Sequence, residues 1–470
     1  MAKNLTVVPD QWMPRGEVAV TANRRVPLVV FGGIVGEAAE VKVVYKGQNQ
    51  HQALFVETDT PSPHRMQVPC ERYEPCGGCP LMHVSPEGQE DVRTAHVRRA
   101  LDEEGLSDVE VEGWHPSPDG YFGFRHVVKL GVGWSNDGKR IKVGAFGRRS
   151  RSIVPIPKCD VAAPVLRQAM AAIAHHILEL GLEPYDPETD RGVLRAVVLR
   201  ASRTSNEVMV TLVAGRRPRK LDELAEAVAG QVGEITGIWV HLNSEPGNTL
   251  FKREEDGSIG LTALIGKDWI EEDLDGIGIR VGPGDFYQTN PSMALPLYKR
   301  TLERLEPQEG EAFVDLYCGV GGLTLLASRV CGFALGVEGV AGAVRRARES
   351  ARRARITAEF VTGQVEEELP KLRERLKHPL VAVDPARRGL EPAVLDALID
   401  MKPRKIAYIS CNPRTLARDL AAFKAAGAEI GPVELFDMFP HTAHVECLTI
   451  VSFPVQAGRA PRRRRVTTKA

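Results

Sequence analysis

The chain has 470 residues, too many for one ordinary core and on the scale of about three domains at roughly 150 residues each. Lys+Arg and Asp+Glu both number 61, so no global field draws it onto a polyanion, and nucleic-acid contact must come from local patches. With 26% charged residues, no apolar core for a signal peptide in "MAKNLTVVPDQWMPRGEV" and no run near the ~20 apolar residues of a membrane span, the expectation is a soluble, cytoplasmic protein without a membrane partner. In that compartment eight cysteines serve as metal ligands, nucleophiles or packing residues rather than disulfides.

Between Gly16 and Thr58 the runs "GEVAV", "VPLVVFGG", "AEVKVVYKG" and "HQALFVET" read as short strands separated by Gly and charged residues. They suit a small β-barrel over residues 1–60, with the oligonucleotide-binding type as one candidate. Next come Cys70, Cys76 and Cys79 in "CERYEPCGGCPLMH", with Cys159 far downstream in "PIPKCDV". Four such thiols can make an S4 site for zinc or for an iron–sulfur cluster; spacing favours neither, and His83 is an alternative zinc ligand. Residues 61–285 then show a helical segment near "EDVRTAHVRRALDEEGL", strand signals in "HVVKLGVG", "VLRAVVLRAS", "EVMVTLVAG" and "GIWVHLNS", and helices near 165–180 and 220–230. The pattern predicts an α+β domain on an antiparallel sheet, with the segment near 86–124 packing on the domain that follows.

From Phe286 strand and helix alternate: "AFVDLYC" and "LTLLASRV", "FALGVEG" and "AGAVRRARESARRAR", "AEFVTG" and a helix, "PLVAVDP" and "EPAVLDALIDM", "KIAYISC" and "RTLARDLAAFKAAG". This predicts a doubly wound α/β domain over 286–455, closed by an antiparallel hairpin from "VELFDMF" and "HVECLTIVSF". Residues 456–470 form a basic tail, expected to be disordered.

Ligands of such sheets bind beyond the carboxyl ends of the strands, which here carry Cys318-Gly319, Glu338, Asp384 and Cys411. Gly319 and Gly321 of "DLYCGVGGLTL" allow a sharp turn into a helix N-terminus, and Glu338 closes the next strand, where a carboxylate can accept both ribose hydroxyls of a nucleoside cofactor. That pair alone is ambiguous between a dinucleotide and S-adenosylmethionine. Cys411 has a rationale in uracil chemistry: a thiolate adding at C6 turns C5 into an enolate carbon able to take a methyl from a sulfonium. A base must then remove the C5 proton, and Glu446 opens an apolar strand with His441 and His444 nearby. A free thiol titrates near about 8.5, so the site must also favour the thiolate.

"FYQTN", "DLYCGVGG", "DPARRGL", "SCNPRTLARDL" and "DMFPHTAHVE" resemble, in order and spacing, the motif set of the RNA 5-methyluridine methyltransferases. The resemblance implies a class I methyltransferase fold, S-adenosylmethionine as donor, Cys411 as nucleophile and Glu446 as proton acceptor. It places Gln288, Tyr317, Glu338 and Asp384 at cofactor-contacting positions, beside Gly319 and Gly321. The family commonly has Asn where this chain has Gly322, so one polar contact to the cofactor is expected to be missing. The family's ribosomal-RNA branch carries a [4Fe–4S] cluster on a C-x5-C-x2-C run plus a remote Cys, which implies that cluster on Cys70, Cys76, Cys79 and Cys159, and 23S rRNA as the partner. The N-terminal barrel resembles the family's TRAM domain, and no protein partner is implied.

A stacked target base must be extruded or taken from an opened loop, and Phe286 is the first candidate to hold its face. Basic runs from Gly147, Arg216 and Arg462 are candidate phosphate contacts, whereas the arginine-rich helix "VRRARESARRAR" reads as a solvated face. Three rivals remain: a tRNA enzyme with the same chemistry, an RNA-binding iron–sulfur protein without turnover, and methylation of an exocyclic amino nitrogen, which has no need of Cys411.

Overall fold

The computed structural model describes residues 4–22, 24–254 and 257–454. The basic tail, with the run from Arg462, lies outside the described residues.

The first sheet has six strands in the order Leu5–Val7, Ala39–Lys46, His51–Glu57, Leu28–Phe31, Val18–Val20, Gln11–Trp12. Leu5–Val7 and Gln11–Trp12 are two parts of one stretch of chain. The sheet thus begins and ends on the same stretch, around fully buried Val18, Leu28, Val30, Val41 and Ala53.

The central sheet has seven strands, ordered Ile153–Val154, Ile141–Phe146, Val127–Trp134, Leu194–Ala201, Val208–Ala214, Ile235–Leu242, Leu261–Gly266. Neighbours are antiparallel except Val208–Ala214 and Ile235–Leu242, which run parallel because the helix Lys220–Gln231 carries the chain back between them. That helix and Pro164–Glu179 cover one face, over Val197, Leu199 and Leu212.

In the last sheet the first five strands are Ala312–Leu316, Phe333–Glu338, Glu359–Thr362, Leu380–Val383 and Lys405–Ser410, all parallel and ordered third, second, first, fourth, fifth. The sixth strand is Val433–Phe436 and the seventh Glu446–Ser452, which runs antiparallel between the fifth and sixth. Side chains alternate between two helical layers: Val314, Val381 and Ile406 enter one core, Phe313, Ala382 and Ala407 the other. Burial on both faces explains why these strands read as unbroken apolar runs. Strand order reverses between the first and fourth strands, which puts the binding crevice at their carboxyl ends.

Two segments from before Phe286 join this body. Val111–His115 adds a strand parallel to the sixth, making nine with the two-residue Glu429–Ile430 that pairs with Glu446–Ser452, while Val97, Ala100 and Leu101 of the helix Pro86–Glu103 enter the same core. The hairpin of Ile270–Leu274 and Ile277–Val281 packs Ile270, Leu274 and Ile279 against Val344 and Ala347 of the helix Ala341–Ala354. That helix keeps the solvated face its sequence pattern predicts, with Arg345, Arg348, Arg352 and Arg353 exposed, but Arg346 is buried and several of the arginines are paired. Arg345 pairs with Asp268 at 3.2 Å, Arg346 with Asp285 at 3.2 Å, and Arg353 with Glu271.

Candidate active site

The fifth and seventh strands pair antiparallel with Ser410 opposite Cys447. One residue further along this register, Cys411 stands across from Glu446, where facing side chains are neighbours. Asp384 follows the last residue of the fourth strand, next to both. The three acidic groups share one crevice, and their charges act on one another.

Burial, then the charges of Glu446 and Asp384, push the Cys411 thiol up to about 12; Arg387 opposes this and donates a hydrogen bond to it. Burial, then Asp384, raise the Glu446 carboxyl well above the usual range, again against Arg387. Glu446 is 3% exposed and its Oε1 has no hydrogen-bond partner among the described residues. Burial, then Asp315, raise Asp384 to about 7. Burial thus favours the protonated forms of Cys411 and Glu446, and Arg387 is the cation that opposes it at both.

Arg387 was not singled out by sequence; "DPARRGL" drew attention to Asp384 alone. Its loop is fixed from the helix Pro413–Ala425. Asn412 Nδ2 donates to Arg387 O at 2.7 Å, and Arg418 Nη2 to Arg388 O and Leu390 O at 3.2 Å each. Asp419 accepts from Leu390 N at 2.9 Å and from Tyr408 Oη at 2.6 Å. Gly389 turns the loop at φ +77°, where a Cβ would meet Asp419 Oδ2 at 2.7 Å.

Across the crevice, Glu338 accepts from Gly319 N at 3.2 Å and Val340 N at 2.8 Å, leaving acceptor capacity on both oxygens. Gly319 and Gly321 adopt φ +55° and +83°, and a Cβ at Gly321 would lie 2.7 Å from the Phe360 ring. Tyr317 also has positive φ, +68°, which fixes the turn off the first strand. Phe286 O lies 3.7 Å from where a Cβ of Gly319 would be, so "FYQTN" runs beside the glycine turn. Gln288 is buried, whereas Phe286 is 64% exposed, as a ring available for stacking would be.

Gly322 is explained by Tyr298: a Cβ there would lie 3.1 Å from Tyr298 Cε2 and 3.2 Å from Leu274 Cδ2. The Tyr298 hydroxyl hydrogen-bonds Gln288 and feels the charges of Asp384 and Asp315. Its side chain fills the room that an Asn would take. His441 and His444 are both held near about 4 by burial and are neutral at ordinary pH. His441 packs beside Tyr121 and Phe122, with ring centroids 5.5 and 5.0 Å away.

Cys70, Cys79 and Cys159 gather around Met82, Phe124 and Val161, and the charges of Cys159, Cys76 and Cys70 each act on Cys79. Burial raises all four thiols, partly opposed by backbone N–H groups of Arg72, Gly78, Val161 and Ala162 that donate to the sulfurs of Cys70, Cys76 and Cys159 and by the Arg125 charge at Cys76, Cys79 and Cys159. Zinc at about 2.3 Å from each sulfur would draw all four to within about 3.8 Å of one another. Among the described residues, the group of candidate ligand atoms lying within 4.8 Å of one another is His175, His176 and Glu179 on an exposed helix, not the cysteines. His83 is not available to zinc: its Nε2–H donates to Gly33 O at 2.9 Å and its Nδ1 accepts from Tyr73 Oη at 2.7 Å.

The basic runs have partners within the chain. Arg148 lies 5.1 Å over Phe31 and 5.2 Å over Tyr73, Arg149 pairs with Glu17 at 3.0 Å, and Arg217 with Asp222 at 2.8 Å. A cationic group unnoticed in the sequence comes from separate elements: the pKa of Lys129 is lowered first by burial and then by the charges of Arg125, Arg200 and Arg387, and Arg387 also bonds Cys411. No helix among the described residues is long and apolar enough to cross a membrane.

A doubly wound sheet with its crevice at the switch point, Glu338 on one side and Cys411 across from Glu446 on the other, has the class I methyltransferase fold. The family model described as tRNA (Uracil-5-)-methyltransferase matches residues 260–452. An uncharacterized RNA methyltransferase of Bacillus cereus is 31% identical, over 91% of this chain and 92% of its own length; another, from Gloeobacter violaceus, is 32% identical over 90% of each. The solved structure of Pyrococcus abyssi tRNA (uracil-54, C5)-methyltransferase with S-adenosyl-L-homocysteine is similar at a TM-score of 0.72 and 26% identity, covering 95% of this chain and all of that one. The chain belongs to the RNA (uracil-5-)-methyltransferase family and is an enzyme of that class.

Proposed function

We propose that this enzyme methylates C5 of a uridine in 23S ribosomal RNA, with S-adenosylmethionine as donor. The observation that carries the chemistry is the register that sets Cys411 against Glu446 at the crevice. Cys411 sulfur bonds to uracil C6, the C5=C6 electron pair moves onto C5 and C4=O, and C5 takes the methyl. Glu446 then accepts the C5 proton, the C–H pair restores C5=C6, and the C6–S bond breaks. The donor supplies an electrophilic methyl on a sulfonium, whose positive charge would lower the pKa values of Cys411, Glu446 and Asp384 together. Glu338 accepts from the ribose, Tyr317, Gly319 and Gly321 shape the pocket, and Gln288 with Asp384 borders both donor and base. Phe286 stacks on the extruded uracil, while Lys129 and Arg125 supply phosphate contacts.

Cys70, Cys76, Cys79 and Cys159 hold a [4Fe–4S] cluster in this reading, with a structural role, and the N-terminal sheet is a TRAM-like RNA-binding module. The four-cysteine set supports ribosomal RNA. A tRNA substrate is the second reading, favoured by the P. abyssi structure, whose name gives tRNA uracil-54 as its target. Both readings place the enzyme in the cytoplasm.

Incubation with radiolabelled methyl donor and unmodified 23S rRNA or tRNA transcripts, followed by digestion to nucleosides, tests this. Labelled 5-methyluridine from rRNA alone, absent with Cys411→Ala, is the expected result. Label in tRNA alone moves the substrate to the second reading, and a fully active Cys411→Ala enzyme refutes the covalent route.

A further inference from the structure

The loop from Asp437 to Val445 links the sixth strand to Glu446, and much of its shape is imposed from outside it. The Arg93 guanidinium, on the helix Pro86–Glu103, grips it at three points. Nη1 meets Asp437 Oδ1 at 3.1 Å, Nη2 donates to Phe439 O at 3.1 Å, and Nε donates to Thr442 O at 2.9 Å. Both charged side chains are wholly buried. Gln89, one turn earlier, accepts from His441 N at 2.8 Å, and Leu81 N donates to His441 O at 2.9 Å. His441 is held at φ +65°, a left-handed conformation uncommon for a residue with a Cβ. The Arg93–Asp437 contact is an ion pair without hydrogen-bond geometry, so the two carbonyls carry the directional part of the grip; Glu446 also has an oxygen with no partner among the described residues, and its placement depends on the backbone that delivers it.

A buried ion pair is weak evidence for stability, because desolvation offsets its attraction. The planar fork of Arg93 reaches a carboxylate and two carbonyls spread over six residues of one loop, which a lysine cannot do. We propose that Arg93, with Gln89, is a positioning residue for proton removal: it clamps the Asp437–Thr442 loop so that Glu446 is aimed at C5 of the covalent adduct. The inference rests on the reading of Glu446 as the base. In that step the Glu446 carboxylate takes the C5 proton, the C–H pair forms C5=C6, and the C6–S bond breaks to return the Cys411 thiolate. A displaced base slows this release and leaves the earlier attack and methyl transfer intact.

Single-turnover reactions with labelled methyl donor and an RNA transcript, quenched in denaturant, separate RNA carried on the protein band from free methylated RNA. Arg93→Lys and Gln89→Leu are compared with wild type and with Glu446→Gln, and urea unfolding monitors the fold. Should Arg93→Lys not fold, the double variant Arg93→Met/Asp437→Leu replaces the pair by apolar side chains, a change such sites tolerate. Expected is adduct formation within about threefold of wild type with release slower by about 10- to 100-fold, the scale of a 1 Å misplacement. Formation and release falling together in a folded variant, or release unchanged, would overturn the proposal. Normal release by Glu446→Gln would instead remove the base assignment beneath it.

Discussion

Asp384 sits where its charge is least comfortable. Burial and Asp315 lift its carboxyl from an ordinary 3.8 to about 7. A raised carboxyl binds more protons folded than unfolded, so its contribution to stability falls as pH rises from about 3.8 to about 7 and stays lost above. Asp384→Asn removes that penalty. Its melting temperature is expected to exceed that of wild type by more at pH 8 than at pH 5, with methylation lost, since the carboxylate borders donor and base. An equal shift at both pH values would contradict the assignment. Tyr298 makes a second residue-level case, because its ring occupies the space over Gly322. Gly322→Asn should over-pack that contact and cost about 1–3 kcal/mol in urea unfolding. Tyr298→Ala in the same chain should relieve part of the loss, which independent sites would not show.

Among the elements, the helix Pro413–Ala425 does more than follow the nucleophile, for it also fixes the loop that carries Arg387. Asp419, wholly buried, holds Leu390 N and Tyr408 Oη at once. Asp419→Ala leaves both donors unpaired, at about 1–3 kcal/mol each. It should also slow formation of the Cys411 adduct, because Arg387 loses its place beside the sulfur. Tyr408→Phe, which removes one donor and leaves the loop bond, is expected to lower stability less and to leave adduct formation near wild type. Sequence made part of this visible. Strand ends could be read from apolar runs stopped by Gly or Pro, so Cys411, Glu338 and Asp384 stood out as polar groups at one sheet edge. Arg387, Tyr298 and Lys129 did not, because their meaning lies in neighbours supplied by other elements. The solvated arginine face of Ala341–Ala354 was legible, but its partners were not: the carboxylates Asp268, Glu271 and Asp285 lie on or beside a hairpin some 60 to 80 residues earlier. Nor does any local pattern announce the parallel pairing of Val111–His115 with the sixth strand, more than 300 residues away.

At the scale of the molecule, the cysteine segment is where three bodies touch. Beside it, His83 and Arg65 bond Gly33 O and Gly32 O of the first sheet at 2.9 Å each. Cys159 borders the central core, and Leu81, two residues past Cys79, holds the loop before Glu446. A cluster bound by all four thiols would therefore tie these bodies together at a point that also touches the catalytic loop. Cys159→Ser removes the one thiol contributed from the far side, away from Cys411. Anaerobic protein is expected to carry iron and acid-labile sulfide in equal amounts with a brown chromophore, and the variant to lose most of both. The variant should also be cleaved faster by protease around residues 61–80, since no residue of that segment is fully buried. Stoichiometric zinc in a colourless protein would overturn the cluster, whereas iron loss without added cleavage would leave the cluster standing and refute its role as the tie.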